Sequence, residues 1–146
     1  MKKYEVYLAS GWFSKQQEED IENIKSALKY KNLEYFSPRE DNLFQDGTKE
    51  SSKAIFKGNV DAIQGARLII VNTRDKDMGS IFEAGVAHAF NIPILYYSAG
   101  LKGDFNLMLA ESGQAVATGV VELLVCLECY KVYGYNFYIP YEGGIE

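Results

Sequence analysis

Two acids, Asp77 and Glu83, lie in the segment DMGSIFEAGVA and are the side chains best suited to chemistry. Gly79 permits a tight turn and Ser80 can cap a helix, so we expect the helix to start at Ser80, with Glu83 in its first turn. The helix dipole would favour an ionised carboxylate there near neutral pH, and apolar neighbours would keep the surroundings dry. Such a carboxylate is the group that attacks an anomeric carbon in retaining glycosyl transfer.

Position alone leaves a simpler role open for both acids. A glutamate in the first turn of a helix often does no more than complement the helix dipole. An aspartate in a loop, as Asp77 would be, is commonly a turn or cap residue. The residues by themselves therefore indicate a crevice with two carboxylates but do not define a substrate.

Composition limits the classes of partner. The net charge is −5 and the sequence pI is about 5.0, which argues against a nucleic-acid polymer as ligand because phosphate binding needs clustered Lys and Arg. No apolar run reaches the ~20 residues of a membrane span, and the first residues do not resemble a signal peptide. We expect a soluble, cytoplasmic protein.

Other reactive side chains indicate little chemistry. Cys126 and Cys129 have C-x-x-C spacing, but they follow an apolar helical pattern and there is no second pair to complete a zinc site. We interpret them as two half-buried helix cysteines, with a redox or metal role as the alternative. His88 is the one histidine and has no evident Ser or Cys partner for a catalytic triad.

Strand-like and helix-like segments alternate along the chain, which is typical of an α/β fold with a mostly parallel sheet. Ser14, followed by Gln17, predicts a helix start, and Ser51 or Ser52 a second one. Residues 37–48 are interpreted as a long surface loop. Strands are predicted at 3–10, 33–36, 67–72, 94–97 and 115–117, and further helices at 80–90, 105–111 and 119–130.

This pattern predicts a single domain over residues 1–146, with a five-stranded, flavodoxin/Rossmann-like sheet in the order 2-1-3-4-5 and flanking helices. Sheets of this kind bind ligands beyond the carboxyl ends of the strands, where the strand order reverses. The crevice would lie between the first and third strands. Residues 7–13 and 73–83 are therefore the predicted functional region.

Segments spread over nearly the whole chain resemble the nucleoside 2-deoxyribosyltransferase family. Residues 7–13 (YLASGWF) resemble its first strand and Gly-Trp-Phe turn, and residues 55–63 (IFKGNVDAI) its helix before the central strand. Residues 77–87 have the family's D-x-G-x-x-x-E-x-G form, and residues 106–108 its Asn-Leu-Met segment. The ending at residues 141–144 (YEGG) is similar to the tail of some members.

The resemblance implies a role for each matching residue. Glu83 matches the nucleophile that attacks C1′ of the deoxyribose, and Tyr7 matches a tyrosine whose hydroxyl orients that carboxylate. Asp77 matches an aspartate that binds near the sugar and base. Further residues are expected to contact substrate, and they are Gly11, Trp12, Phe13, Asn59, Gly79, Asn106 and Met108. The match is loose over residues 37–48, where Asp41 and Asn42 are interpreted as solvated loop residues, with contact to the base as the alternative.

The resemblance also implies partners. Asn106 and Met108 match residues that the family donates to a neighbouring subunit's site, so a homo-oligomer, a hexamer or a dimer, is expected. The small-molecule partners would be a deoxynucleoside and a free nucleobase, with a place in nucleoside salvage. No metal or organic cofactor is implied.

Asn59 departs from the family pattern, because many members carry an aspartate there that helps to protonate the leaving base. Asparagine can form hydrogen bonds to a base but cannot act as an acid at pH 7. Asp61 lies about 200° around the helix axis from Asn59, so it should not replace Asn59. Either Asp77 supplies the proton, or the base preference differs, or activity is low.

The resulting hypothesis is a transferase that moves 2-deoxyribose between purine and pyrimidine bases through a glycosyl-Glu83 intermediate. One alternative is a hydrolase of the N-glycosidic bond in deoxynucleosides or their 5′-monophosphates. Another is a non-catalytic nucleoside-binding module, which the Asn59 departure keeps open.

Overall fold

The computed structural model describes residues 4–42 and 49–146. A five-stranded sheet forms the centre of the fold, and every pair of neighbouring strands is parallel. Its order, β2-β1-β3-β4-β5, confirms the predicted one. The strands are β1 (Val6–Ala9), β2 (Tyr35–Phe36), β3 (Leu68–Asn72), β4 (Ile94–Tyr97) and β5 (Ala115–Ala117).

Helices connect the strands and cover both faces of the sheet. In the part of the chain that the structure describes, no helix is long and apolar enough to cross a membrane. Short 3₁₀ turns also occur at Arg74–Lys76 and Gly134–Asn136. The helices are α1 (Lys15–Tyr30), α2 (Pro38–Asp41), α3 (Lys49–Gly65), α4 (Met78–Ala89), α5 (Leu107–Ser112) and α6 (Val120–Tyr133).

Successive side chains of β1 point to opposite faces of the sheet, as the pleat of a strand requires. Val6 and Leu8 join the core cluster on the α1 and α6 side. Tyr7 and Ala9 join the cluster that contains residues of α3 and α4. The position of Tyr7 in the strand therefore directs its ring toward α4.

Three helix starts test the predicted caps. Ser14 caps α1 as predicted, because its side chain accepts a hydrogen bond from the backbone N–H of Gln17. The cap predicted at Ser51 or Ser52 is wrong, since α3 already begins at Lys49 and both serines lie within it. The predicted start at Ser80 is also wrong, because Asp77 caps α4 and accepts from the backbone N–H of Ser80.

The interpretation of residues 37–48 as a loop is partly wrong. Residues 38–41 form the short helix α2, which has Pro38 at its start, where a proline without an N–H fits well. Residues 43–48 lie outside the described residues.

The α6 region confirms the interpretation of the two cysteines as helix residues. Cys126 is buried, Cys129 is half-buried and both are free thiols. The tail after α6 showed no sequence period, yet it packs against the domain. Phe137 is buried, and Ile145 forms a parallel bridge with Phe105.

Candidate active site

A cavity of about 430 Å³ lies beyond the carboxyl ends of β1 and β3, at the predicted reversal of strand order. The turn after β1, the helix α3 and the start of α4 form its walls. The predicted site residues that line it are Gly11, Trp12, Phe13, Asn59, Asp77, Gly79 and Glu83.

Glu83 and Tyr7 form the central contact of this site. The hydroxyl of Tyr7 donates a hydrogen bond to Oε2 of Glu83. Tyr7 is fully buried behind the cavity and stacks on Phe36, with ring centroids 5.6 Å apart. Burial and the neighbouring Glu83 raise the pKa of Tyr7 above its usual range, so the phenol keeps its proton and remains a donor.

The expectation that Glu83 is fully ionised near neutral pH is wrong. Burial is the largest influence on this carboxyl, and with the charge of Asp77 it raises the pKa of Glu83 to about 7, against the opposing hydrogen bond from Tyr7. Because α4 begins at Met78, Glu83 lies in the second turn of the helix, where the dipole effect is weaker. The carboxyl therefore takes up and releases its proton in the neutral pH range rather than near 4.5.

Asp77 has a structural task as well as a place in the cavity. Its Oδ2 accepts hydrogen bonds from the backbone N–H of Ser80 at 3.0 Å and from the Ser80 hydroxyl at 2.7 Å. Its Oδ1 lies against Gly11, where an added Cβ would come within 2.8 Å of it. Glycine at position 11 thus allows the turn after β1 to approach the Asp77 carboxylate.

A buried polar network holds the two loops that carry these residues. Arg74 binds Asp20 of α1 in a bidentate manner, with Nε–Oδ2 at 2.8 Å and Nη2–Oδ1 at 3.0 Å. Asn72, at the end of β3, donates to Asp20 at 3.2 Å and to the Ser10 hydroxyl at 3.1 Å. The loop after β3 is therefore fixed to the buried Asp20 carboxylate, and Asn72 links the loop after β1 to the same network.

Aromatic rings surround the opening of the cavity. The rings of Trp12 and Phe13 lie 5.2 Å apart, and those of Phe56 and Phe82 lie 5.9 Å apart. Phe13, Phe56 and Phe82 are each more than half exposed. A flat, apolar ligand with a π face can stack on such rings.

Asn59 faces the cavity from α3, and its orientation depends on Asn42. The Nδ2 of Asn42 donates to Oδ1 of Asn59 at 2.9 Å and to the backbone carbonyl of Ile55 at 3.0 Å. Asp61 forms an ion pair with Lys57 at 2.6 Å and does not line the cavity, in agreement with the predicted separation from Asn59. Asn42 was interpreted as part of a solvated loop, but it is buried.

Asn106 and Met108 do not line this cavity. The side chain of Asn106 caps α5 by accepting from the backbone N–H groups of Met108 and Leu109. Met108 is 72% exposed. Their predicted roles in a neighbouring subunit's site remain predictions.

Several lining residues were not anticipated from the sequence as site residues. Ile55, Phe56 and Val60 have the spacing of one apolar helix face, and a helical period does not distinguish a face toward a cavity from a face toward the core. Residues 38–41 (PRED) carried a usable signal, because a proline with two acids in the same turn is typical of a helix start. The lining residues missed are Ser10, Pro38, Ser52, Ile55, Phe56, Val60, Ser80 and Phe82.

Solved structures of known proteins share this fold. A 2-deoxyribosyltransferase from Bacillus psychrosaccharolyticus superimposes with a TM-score of 0.72 at 25% identity, over 82% of this chain and 89% of that chain. A 2-deoxyribosyltransferase from Leishmania mexicana gives 0.51 at 24% identity, over 67% and 66%. A CMP N-glycosidase from Clostridium botulinum gives 0.58 at 22% identity, over 84% and 97%.

Sequence comparison identifies the family. A search of curated protein sequences gives no match. The profile of the family described as nucleoside 2-deoxyribosyltransferase matches residues 6–124, which include the whole of the cavity wall. The chain therefore belongs to the nucleoside 2-deoxyribosyltransferase family and is an enzyme that acts on nucleosides.

Proposed function

We propose that this enzyme transfers 2-deoxyribose from a deoxynucleoside to a second nucleobase, with Glu83 as the nucleophile. The observation that carries the proposal is the Tyr7–Glu83 contact at the wall of a cavity with aromatic rings at its opening. A carboxylate in such a cavity has the two properties needed for attack on C1′. It is partly shielded from water, and a neutral donor fixes one of its oxygens, which leaves the other free to react.

The reaction proceeds as a double displacement. An oxygen of ionised Glu83 bonds to C1′ while the C1′–N bond breaks, and the electron pair of that bond leaves with the first base. A ring nitrogen of the second base then attacks C1′, and the bonding pair returns to Glu83 as the carboxylate. The acceptor nitrogen loses its proton to solvent, from which the departed first base takes one, and two inversions at C1′ retain the β configuration.

The remaining cavity residues bind the substrate in this proposal. The rings of Trp12, Phe13, Phe56 and Phe82 stack on the base, which suits both purines and pyrimidines because every base has a π face. Asp77, whose Oδ2 is occupied by Ser80, offers Oδ1 to a sugar hydroxyl or the base edge. Asn106 and Met108 lie outside the cavity and would reach the site of a second subunit in a homo-oligomer.

Chromatography of the products tests this function. Wild type and Glu83→Ala are incubated with thymidine, with and without adenine. The proposal predicts deoxyadenosine in the wild-type tube with adenine and none in the variant. Thymine released equally with and without adenine, and no deoxyadenosine, would instead identify a hydrolase. No change in any tube, repeated with other deoxynucleosides and monophosphates, would identify a binding module.

A further inference from the structure

The pair Asn42–Asn59 sets which kind of hydrogen-bonding group the protein presents to the base. An asparagine amide has a carbonyl oxygen that accepts and an NH₂ that donates, and either could face a ligand. Two hydrogen bonds of the Asn42 side chain, one to the Ile55 carbonyl and one to Asn59, determine which group of Asn59 faces the cavity.

The carbonyl of Ile55 fixes the orientation of Asn42. A backbone carbonyl can only accept, so the Asn42 atom that lies 3.0 Å from it must be the amide nitrogen, Nδ2. The same nitrogen lies 2.9 Å from the Asn59 side chain. The atom of Asn59 at that contact must therefore be the acceptor Oδ1.

Packing holds Asn42 in this place. Its side chain is buried and lies against Gly58 of α3, where an added Cβ would come within 3.0 Å of Nδ2. The backbone N–H of Asn42 donates to the carbonyl of Pro38, which ties the residue to the end of α2. Asn42 thus forms a fixed link between α2 and α3.

The consequence for Asn59 is a free donor at the cavity. With Oδ1 occupied by Asn42, the NH₂ of the same planar group remains available to a ligand. Among residues 4–42 and 49–146, no acceptor forms a hydrogen bond to that nitrogen. The group cannot release a proton at physiological pH.

We propose that Asn42 is a positioning residue that presents Asn59 as an N–H donor, so that the site selects nucleosides whose base has an acceptor, a ring nitrogen or a carbonyl oxygen, at that edge. The inference rests on the proposed function for the identity of the ligand. As the C1′–N bond breaks, its electron pair moves onto the base, and the Asn59 N–H stabilises the resulting negative charge without giving up its proton. The base takes its proton from solvent after it leaves.

Binding measurements test the donor. Trp12 is the single tryptophan and lines the cavity, so its fluorescence reports ligand binding. In a Glu83→Gln background, which cannot form the glycosyl-enzyme, the deoxynucleoside that binds most tightly among the four natural ones is titrated at pH 8. Asn59→Asp, which replaces the donor by an acceptor of the same shape, should weaken binding about tenfold or more, and Asn59→Ala by less. Asn59→Asp that binds as well as Asn59→Ala, or better, would overturn the proposal.

A double-mutant cycle tests the positioning role of Asn42. Asn42→Ala should weaken binding severalfold when Asn59 is present and have no effect in the Asn59→Ala background. Equal losses in both backgrounds, or no loss, would overturn the role of Asn42. If Asn42→Ala does not fold, Gly58→Ala displaces the same amide more mildly, and it should show the same dependence on Asn59. Lys57→Ala, at an exposed site on the same helix, is the control and should leave affinity unchanged.

Wild-type turnover, assayed separately, keeps the two proposals distinguishable. If Asn59→Asp binds more weakly than Asn59→Ala but wild type shows no turnover, the proposed transferase activity is contradicted and the donor role of Asn59 is supported. If wild type shows turnover and Asn59→Asp has the same rate, the proposed donor role of Asn59 is contradicted, while the proposed transferase activity is not. A protein that binds none of the four deoxynucleosides would contradict both.

Discussion

The hydroxyl of Tyr7 donates a hydrogen bond to Oε2 of Glu83, although the two residues are 76 positions apart in the sequence. Their contact follows from the alternation of side chains along a strand and from the helical period. Side chains alternate along β1, and Tyr7 is on the side that faces α4, while Glu83 lies in the second turn of α4 after the Asp77 cap. A neutral donor that remains protonated is thereby fixed to the proposed nucleophile.

Tyr7→Phe should lower kcat/KM for deoxyribosyl transfer by about tenfold to a hundredfold, the range for loss of a hydrogen bond to a charged group. Because the Tyr7 hydrogen bond lowers the pKa of Glu83, its removal should raise that pKa. Wild-type kcat/KM should fall as pH drops through about 7, where Glu83 takes up a proton. In Tyr7→Phe the fall should begin at higher pH, which a pH profile of kcat/KM will show.

Tyr96→Phe is the matched control for this change. Tyr96 is also buried, and its hydroxyl contacts the Ser112 hydroxyl at 2.7 Å, away from the cavity. Its loss should leave the pH profile in place. A profile that is the same in Tyr7→Phe as in wild type would show that Tyr7 does not tune Glu83.

Glu83→Gln should stabilise the folded protein at high pH. The pKa of Glu83 rises from 4.5 to about 7 on folding, so folding favours the protonated carboxyl. The stability that the protonated Glu83 carboxyl contributes to the fold is fully present below about pH 4.5. It is lost as pH rises through 7. At pH 8.5 the variant should be more stable than wild type by on the order of 2 kcal/mol, since a tenfold change in proton affinity corresponds to about 1.4 kcal/mol and the site is partly open to water. At pH 4.5 the difference should be much smaller.

Urea unfolding at several pH values measures this difference between Glu83→Gln and wild type. A gap in unfolding free energy that does not change between pH 4.5 and 8.5 would contradict the raised pKa.

Asp20→Ala should destabilise the fold by about 3 kcal/mol, because it leaves the partly buried Arg74 without its bidentate partner and removes an acceptor of Asn72. Asp61→Ala removes an exposed partner of Lys57 and should cost at most about 0.5 kcal/mol. Thermal unfolding of both variants beside wild type makes the comparison. Equal losses in the two variants would show that the Asp20 network does not hold the site loops.

Gly11→Ala should lower kcat/KM by about tenfold to a hundredfold, because small displacements of groups at a reacting site carry large kinetic penalties. The added Cβ would come within 2.8 Å of Asp77 Oδ1 and 2.7 Å of Gln17 Nε2, so these side chains must move. Gly65→Ala is the control, since among the described residues no atom beyond its chain neighbours and its own helix backbone lies within 4 Å of a Cβ at that position. Steady-state kinetics of the two variants would contradict the account if both matched wild type.

The sheet order and most strand positions could be predicted because they depend on local signals. The uninterrupted apolar run at residues 68–71 indicates a central parallel strand. Helix starts were harder to predict where two nearby residues could each act as the N-cap. Asp77 and Ser80 are both good caps, and the sequence does not show that the Asp77 side chain accepts from both Ser80 donors.

The chemistry of the site depends on contacts between distant residues, which one sequence does not reveal. The raised pKa of Glu83 comes mainly from burial, and burial is a property of the whole fold. Asn42 lies in a polar stretch typical of a surface loop, and contacts with Ile55 and Asn59, 13 and 17 positions away, bring it to the site. Phe56 fits the apolar stripe of α3 but is 58% exposed beside the cavity.

Mass spectrometry of the enzyme after incubation with a deoxynucleoside tests the central claim most directly. The enzyme is mixed with thymidine without an acceptor base, denatured in acid and digested, beside a Glu83→Gln control. We predict a mass increase of one deoxyribosyl group on the peptide that contains Glu83, and loss of this increase when adenine is added before denaturation. An unmodified Glu83 peptide from enzyme that turns thymidine over would contradict a glycosyl-Glu83 intermediate.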